Sequence, residues 1–249
     1  MRVRVLGSAA GGGAPQWNCA CAVCAGGRSD RTQDTVAVSG DGAAWYLLNA
    51  GPDIRGQILR TPELRAGPGP RQTPLRGVLL TTAELDHTLG LLSLREAVRL
   101  RVYATRAVSA ALQTAFPLRP MLARYTDLDW RELTGGLDLD GGLRVDRLTV
   151  GALIAILQSA WSDPRIRKPF QSVLAVAGKT GTLRNRLLGV STKGRVLGKT
   201  GTTDEASALA GFVNGRYAFA IIHNGFPLAS WYAKMAEDRF VQVLAAAAK

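Results

Sequence analysis

The stretch Gly77-Val-Leu-Leu-Thr-Thr82-Ala-Glu84-Leu-Asp86-His87-Thr-Leu-Gly90 decides how the fold is read. Gly77 to Thr82 is a short apolar run, the pattern of a strand buried on both faces. The acids and the histidine follow directly. Side chains projecting from the C-terminal end of a strand into a loop are placed to hold a metal and leave coordination positions open. An acid-histidine pair there can equally cap the next helix. Asp86 and His87 are therefore candidate ligands and catalytic groups on residue type and placement alone.

Working outward, Val3 to Leu6 reads as a strand followed by the flexible loop Gly7-Ser-Ala-Ala-Gly-Gly-Gly13. Thr35 to Ser39 and Trp45 to Asn49 read as a hairpin around Gly40-Asp41-Gly42. Pro52 opens a helix through Leu59, and the Pro- and Gly-rich segment Arg65 to Pro74 is a loop. Leu89 to Val98 reads as a helix, Leu100 to Ala104 as a strand and Arg106 to Ala115 as a helix. Strands first, then strands alternating with helices, predict a layered α/β fold.

A second chemical signal is Cys19-Ala-Cys21-Ala-Val-Cys24. Thiolates at this spacing can converge on one ion, and zinc favours soft sulfur in a tetrahedral shell. The competing reading is three buried thiols in a glycine-rich loop. A fourth ligand is needed, and the local sequence offers none. His223, the only histidine besides His87, is the remaining histidine candidate. Three clustered cysteines make a poor disulfide framework and point to a reducing compartment.

The formal charge of +12 invites a search for an anionic partner, but 25 of the 31 basic residues are arginines spread along the whole chain. A nucleic-acid reader concentrates its charge and interleaves aromatics; neither feature is present, and no nucleic-acid partner is expected. Met1 to Gly7 has no apolar stretch long enough for secretion. The longest apolar run, Val150 to Leu157, is too short for a bilayer. The expectation is a cytoplasmic protein with no membrane partner.

Gly7 to Gly13, Pro15-Gln-Trp-Asn-Cys-Ala-Cys21, Ala37-Val-Ser39, Asn49-Ala-Gly-Pro-Asp53 and Asp86-His-Thr-Leu-Gly-Leu91 occur in order. Together they resemble the pyrroloquinoline quinone synthesis protein B family, from Met1 to about Leu133. The resemblance implies a metallo-β-lactamase fold, a structural zinc on Cys19, Cys21 and Cys24, and an active-site metal at Asp86 and His87. It also implies metal-dependent oxidation of a tyrosine in a peptide substrate. Iron is the implied metal, since that oxidation needs a redox-active ion and zinc has no redox chemistry. The wider fold's His-x-His-x-Asp-His pattern stands here as Thr82-Ala-Glu84-Leu-Asp86-His87. Glu84 replaces a histidine and becomes a further candidate ligand. The family's second half, which should supply more ligands and the other sheet, does not appear in the sequence.

Past Gly135 to Gly142 the texture changes. Val150 to Trp161 reads as a helix, and Thr180 to Leu188 contains a short helical stretch. Gly194 to Lys199, Ser207 to Val213 and Arg216 to His223 read as strands, with Asn214-Gly215 as a two-residue hairpin turn. Leu228 to Ala248 reads as a long helix covering that three-stranded sheet. Val176-Ala-Gly-Lys-Thr-Gly-Thr-Leu183, Gly194-Arg-Val-Leu-Gly-Lys-Thr-Gly201 and Ser207-Ala-Leu-Ala-Gly-Phe212 resemble the C-terminal part of D-alanyl-D-alanine carboxypeptidases of the penicillin-binding class. By that resemblance Lys199 holds a substrate carboxylate with Thr200, Gly201 and Thr202 beside it. The serine of a Ser-x-x-Lys motif and a Ser-x-Asn partner are both missing from the sequence, so no acyl-enzyme route is available.

The sequence thus predicts an α/β chain in two segments. Residues 1–135 form a partial metallo-β-lactamase-like αββα layer, fused to a partial transpeptidase-like antiparallel sheet with a C-terminal helix over 141–249. The expected activity is that of a metal-dependent oxidoreductase of quinone cofactor synthesis, inactive if the incomplete fold leaves its site short of ligands. The alternatives are a serine-type peptidoglycan carboxypeptidase lacking its nucleophile and a non-functional fusion.

Overall fold

Alternation along Trp45-Tyr-Leu-Leu48 sets up the first sheet. Trp45 and Leu47 point into one apolar core, while Tyr46 and Leu48 point into another on the opposite face. The computed structural model describes residues 1–26, 30–146, 149–203, 206–225 and 228–248. They divide into two units, Met1–Arg147 and Leu148–Lys249.

In the first unit, strands β1 (Arg2–Gly7), β2 (Thr35–Ser39), β3 (Trp45–Leu48), β4 (Leu75–Leu80), β5 (Arg101–Ala104) and β6 (Asp129–Glu132) lie side by side in chain order. The first three are antiparallel and β3 to β6 are parallel. Parallel neighbours need crossovers. After the short turn α1 (Ala22–Ala25), these come from α2 (Ile54–Arg60), α3 (Leu85–Thr88), α4 (Leu91–Leu94), α5 (Arg106–Ala111) and α6 (Leu118–Leu122). Their apolar residues Ile54, Leu91, Leu94, Val108, Leu112, Leu118 and Leu122 bury one face of the sheet.

The other face is covered differently. Tyr46, Leu79 and Tyr103 pack against Leu139 and Leu143, which belong to a hairpin of β7 (Leu137–Leu139) and β8 (Leu143–Val145). Tyr46 Oη donates to Asp140 Oδ2 (2.9 Å) and accepts from the Asp140 backbone N–H (3.1 Å). Arg101 pairs with the same carboxylate at 3.1 Å. The hairpin therefore belongs to the first unit, and the division falls at 147/148, beyond the 135–141 join read from the sequence. Among the described residues, this face carries the two short strands β7 and β8.

Of the expected helix Leu89 to Val98 only the turn α4 (Leu91–Leu94) forms, and a separate turn, α3 (Leu85–Thr88), precedes it across Gly90. The Gly90 N–H is drawn to the Ala50 carbonyl at 2.8 Å, which breaks the helical run. Strand β3 stops at Leu48 rather than Asn49 because Asn49 adopts φ 64°.

In the second unit α7 (Val150–Ser162) and α8 (Pro164–Ser172) precede an antiparallel sheet of β9 (Ala175–Val176), β10 (Val196–Thr202), β11 (Ala206–Val213) and β12 (Tyr217–Asn224), in the order β12-β11-β10-β9. The chain then continues into α9 (Ser230–Ala247). Four strands form where three were expected. Strand β9 has only two residues, too few for periodicity to show. Helix α8 was hidden by Pro169 within it. Its start is fixed by Asp163, whose Oδ1 accepts from the Arg165 N–H at 2.9 Å. The turn at Asn214-Gly215 has both residues at positive φ, as the pair predicts.

Leu209, Val213 and Phe219 face Val241 and Ala245 of α9. On the other face Phe212 packs against Leu157 and Trp161 of α7 and Phe170 of α8. Glu237 of α9 is fully buried. It accepts from Ser207 Oγ at 2.6 Å and Arg186 Nη2 at 2.8 Å, so its charge is paired inside the core. No helix among the described residues is long and apolar enough to cross a membrane.

The buried Tyr46–Asp140 bond yields a test. Burial pushes the Tyr46 phenol up to about 12, with the Asp140 side chain adding to the rise and its backbone N–H opposing it. An unfolded phenol ionises near pH 10, so above that pH the unfolded chain loses a proton the folded chain keeps. Stability falls as pH rises from about 10 to about 12. Tyr46→Phe should lower unfolding stability near neutral pH by about 1–2 kcal/mol, because the Asp140 N–H loses its acceptor. The same variant should show a shallower alkaline loss. Urea unfolding of both proteins near neutral pH and near pH 11 measures the two effects, and an unchanged stability would show that the bond contributes nothing net.

Candidate metal centre

The acid-histidine pair is held by a backbone interlock at the strand ends. Asn49, in the left-handed region, turns its Oδ1 to accept from both the N–H and the hydroxyl of Thr81, each at 2.9 Å. This ties the ends of β3 and β4 together. The Ala50 N–H then donates to the His87 carbonyl at 2.7 Å, and the Gly90 N–H returns to the Ala50 carbonyl. A Cβ on Gly51 would stand 2.5 Å from the Asp86 carbonyl, and one on Gly90 2.4 Å from the Gly51 carbonyl. Both positions need glycine for that approach.

A second clamp fixes the residues before β2. The buried Gln57 amide donates to the Gln33 carbonyl at 2.8 Å and to Thr32 Oγ1 at 2.9 Å. The Gln33 side chain donates to the Gly11 carbonyl at 3.2 Å and accepts from the Asp53 N–H at 3.3 Å. The Asp34 N–H donates to the Ala9 carbonyl at 3.0 Å. The glycine loop, the head of β2 and the start of α2 are thereby pinned together, with Gly11 lying against the Asp86 carboxylate.

These clamps bring Asp34, Asp86 and His87 together, with one ligand atom of each within 4.8 Å of the others. His87 Nε2 is 2.8 Å from Asp34 Oδ1 and 4.0 Å from Asp86 Oδ2. A carboxylate only accepts, so Nε2 is the donor toward Asp34, and Nδ1 lies 2.8 Å from the Thr82 hydroxyl. Thr82 Oγ1 in turn accepts from the Glu84 N–H at 3.2 Å. Glu84 lies on the opposite edge of the ring, its Oε2 3.4 Å from Nδ1, outside the converging set. It stands at the N-cap of α3, so its side chain leaves from the far side of the turn.

Asp34 escaped sequence reading. No spacing relation connects position 34 with 86. An acid immediately before a strand that neighbours the metal-bearing strand's partner was the one signal available.

Cys19, Cys21 and Cys24 also come together, their sulfurs within 4.8 Å of one another. Sulfurs bound tetrahedrally to zinc are about 3.8 Å apart, so the three thiols fit one zinc with small adjustments. Cys21 caps α1, and the Gln16 N–H reaches Cys24 Sγ at 3.4 Å. The Cys19 thiol sits above its ordinary value: a backbone hydrogen bond at Cys21 lowers it, but hydrogen bonds with the Cys21 and Cys24 thiols and partial desolvation outweigh that. No fourth cysteine, histidine or acid joins them among the described residues. His223 lies on β12 of the second unit, paired in register with Ser207.

In the second unit Lys199, Thr200, Gly201 and Thr202 are consecutive on β10, so Lys199 and Thr200 face opposite sides. Lys199 Nζ turns back to the Thr200 carbonyl. Thr200 donates to Thr182 Oγ1 at 2.9 Å, which places the strand beside the other Lys-Thr-Gly triplet at 179–181.

Residues 44–179 match the model of the β-lactamase superfamily domain, more than half of the chain. The chain belongs to that superfamily. Residues 137–247 also match the model of the D-Ala-D-Ala carboxypeptidase 3 (S13) family. Among curated proteins the chain is similar to coenzyme PQQ synthesis protein B of Pseudomonas aeruginosa, 47% identical over 131 residues, covering 50% of this chain and 43% of that protein. It is similar to the protein of the same name from Methylobacterium radiotolerans, 50% identical over 114 residues, covering 43% of this chain and 38% of that protein. It is also similar to the crystal structure of zinc-bound PqqB from Methylobacterium extorquens, 42% identical with a TM-score of 0.52, covering 58% of this chain and 50% of that one. The chain spans less than half the length of these curated relatives.

The cysteine geometry gives a direct test. Protein purified under reducing conditions should carry about one zinc per chain. Cys21→Ser should lower that content, as read by elemental analysis. Absence of metal from the reduced protein would remove the zinc role from the cluster.

Proposed function

We propose that the chain acts in pyrroloquinoline quinone biosynthesis, with a structural zinc on the cysteine cluster and a redox metal at Asp86 and His87. The observation that carries this reading is the placement of Asp86 and His87 at the C-terminal end of a buried strand, held by a backbone interlock. Similarity to PQQ synthesis proteins over the same residues supports it. Iron is the metal proposed, and its contribution is the redox chemistry needed to oxidise a tyrosine of a peptide substrate, which zinc lacks. The chain's own residues do the holding. Asp86 and His87 bind, Thr82 fixes the ring from the Nδ1 side, and the Gly51 and Gly90 contacts keep the loop from spreading. A reducing, cytoplasmic setting keeps the thiols available for zinc.

The second unit supports a narrower reading, binding of a carboxylate by the β10 strand. Lys199 offers a cation and Thr200 and Thr202 offer hydroxyls. Without the serine and lysine of the acylation step, a penicillin should not become covalently attached. A fluorescent penicillin that stays on the chain through denaturing electrophoresis would refute this.

The main reading is tested by anaerobic ferrous-iron titration of the chain and of His87→Ala, followed by an assay on a tyrosine-containing precursor peptide. Few protein donors surround the site, so weak iron binding is expected, lost in His87→Ala. No oxidised peptide is expected from the chain alone. Equal binding by both proteins would remove His87 from any metal role. Oxidised peptide would show that this number of ligands suffices for turnover.

A further inference from the structure

Asp34 has no role in the reading above, yet its carboxylate lies closer to His87 than any other acid does. Its Oδ1 is 2.8 Å from Nε2, against 4.0 Å for Asp86. Two donors in adjacent positions around a small divalent ion, each about 2.1 Å from it, lie about 3 Å apart. The Asp34–His87 separation is therefore already close to that of neighbouring ligands. The Asp86 oxygen lies on the same side of the ring, and one atom from each of the three residues falls within 4.8 Å of the others. Glu84 is on the wrong edge of the ring to take part.

Asp34 is also supported as a ligand would be. Its backbone is bonded to Ala9, and the preceding residue is gripped by Gln57 and Asp53. The side chain is half-exposed, 48% accessible against 14% for His87, so solvent or a metal can reach it without opening the core. Nδ1 faces Thr82 while Nε2 faces both aspartates, so Nε2 is the nitrogen placed to share an ion with them.

We propose that Asp34 is the third protein ligand of the metal centre, completing a set of one imidazole and two carboxylates that holds a divalent cation on His87 Nε2. The proposal rests on the metal reading of Asp86 and His87. In the metal-free protein the Nε2 proton bridges His87 and Asp34. The ion replaces that proton and is bound by both groups, and the remaining coordination positions stay open to water or substrate. A donor set with two carboxylates suits hard and borderline ions such as manganese or ferrous iron, and disfavours the soft ions that thiolates select.

Manganese is the appropriate probe, because it is paramagnetic and is a poor fit for the cysteine cluster. Free-ion titration by electron paramagnetic resonance should give at least about tenfold weaker binding for Asp34→Asn than for the unaltered chain. Water-proton relaxivity per bound ion should rise in that variant, because water takes the vacated position; loss of a merely orienting contact would not add a coordinated water. Glu84→Gln should stay within about twofold of the unaltered chain in both measurements, since its carboxylate faces the other edge of the ring. Asp34→Ala, compared by thermal unfolding, checks that the site is otherwise intact. Binding that is abolished by His87→Ala but unchanged in affinity and relaxivity by Asp34→Asn would overturn the role of Asp34 and leave the metal reading standing. No His87-dependent manganese binding at all would overturn both.

Discussion

The first unit depends on the contact between two backbone segments at the ends of β3 and β4. Neighbouring parallel strands end side by side, and their loops would normally part to let side chains through. Here Asn49 bonds to Thr81, Ala50 bonds to the His87 carbonyl, and Gly90 bonds back to Ala50. The loops close on each other so tightly that neither Gly51 nor Gly90 has room for a side chain. Two consequences follow from that one constraint. The turns α3 and α4 are kept apart at Gly90, and the residues of α3 are held in a fixed orientation beyond the C-terminal end of β4. A methyl group at Gly51 or Gly90 would collide with a carbonyl, so even Ala at either position would push the histidine loop away from the sheet.

Much of this was legible in the sequence, for physical reasons that differ by element. Strands β2 to β5 and the long helices announced themselves by continuous or alternating apolar residues bounded by Gly, Pro and polar residues. The Asn214-Gly215 turn was legible because few pairs tolerate two positive φ values. The cysteine cluster was legible because its ligands are close in sequence. Asp34 was not, since its meeting with His87 depends on a sheet register between residues far apart in the chain. Glu84 shows the converse. It is close to Asp86 in sequence, but a helix start intervenes, and the cap geometry sends its carboxylate to the other edge of the imidazole. The β7–β8 hairpin was missed because six strand residues split by glycines carry almost no periodic signal. Its place is decided by the buried Tyr46 hydroxyl, which requires a polar partner.

The second unit shows how a sheet can be well packed and still present little chemistry. Both faces of its sheet are covered, one by α9 and the other by α7 and α8, and its buried acid is fully paired. Yet the lysine of the Lys199–Thr202 strand bonds its own neighbour's carbonyl, and the Thr200 hydroxyl bonds Thr182. Two of the groups that could recognise a carboxylate therefore have local partners that a ligand would displace. The serine held in the core, Ser207, is bonded to Glu237 and has almost no exposure, so it cannot replace the missing nucleophile.

The distribution of donors within the first unit separates two kinds of metal chemistry. The soft ligands, three sulfurs, are confined to a short loop and turn whose spacing alone brings them together. The harder donors proposed for the second site, two carboxylates and an imidazole, come from segments that only the folded sheet unites. An ion of zinc's preference can be gathered by the cysteine loop before the sheet is complete, because the loop needs little more than local closure. A hard or borderline ion has no comparable site until β2 and β4 are in register through β3. The same register that makes Asp34 invisible to sequence reading therefore makes the second site conditional on folding. An ion bound there stabilises the folded sheet over the unfolded chain, in proportion to its occupancy. With three protein donors among the described residues, that coupling is modest, and the open positions that limit affinity are the ones through which water or a substrate could reach the ion.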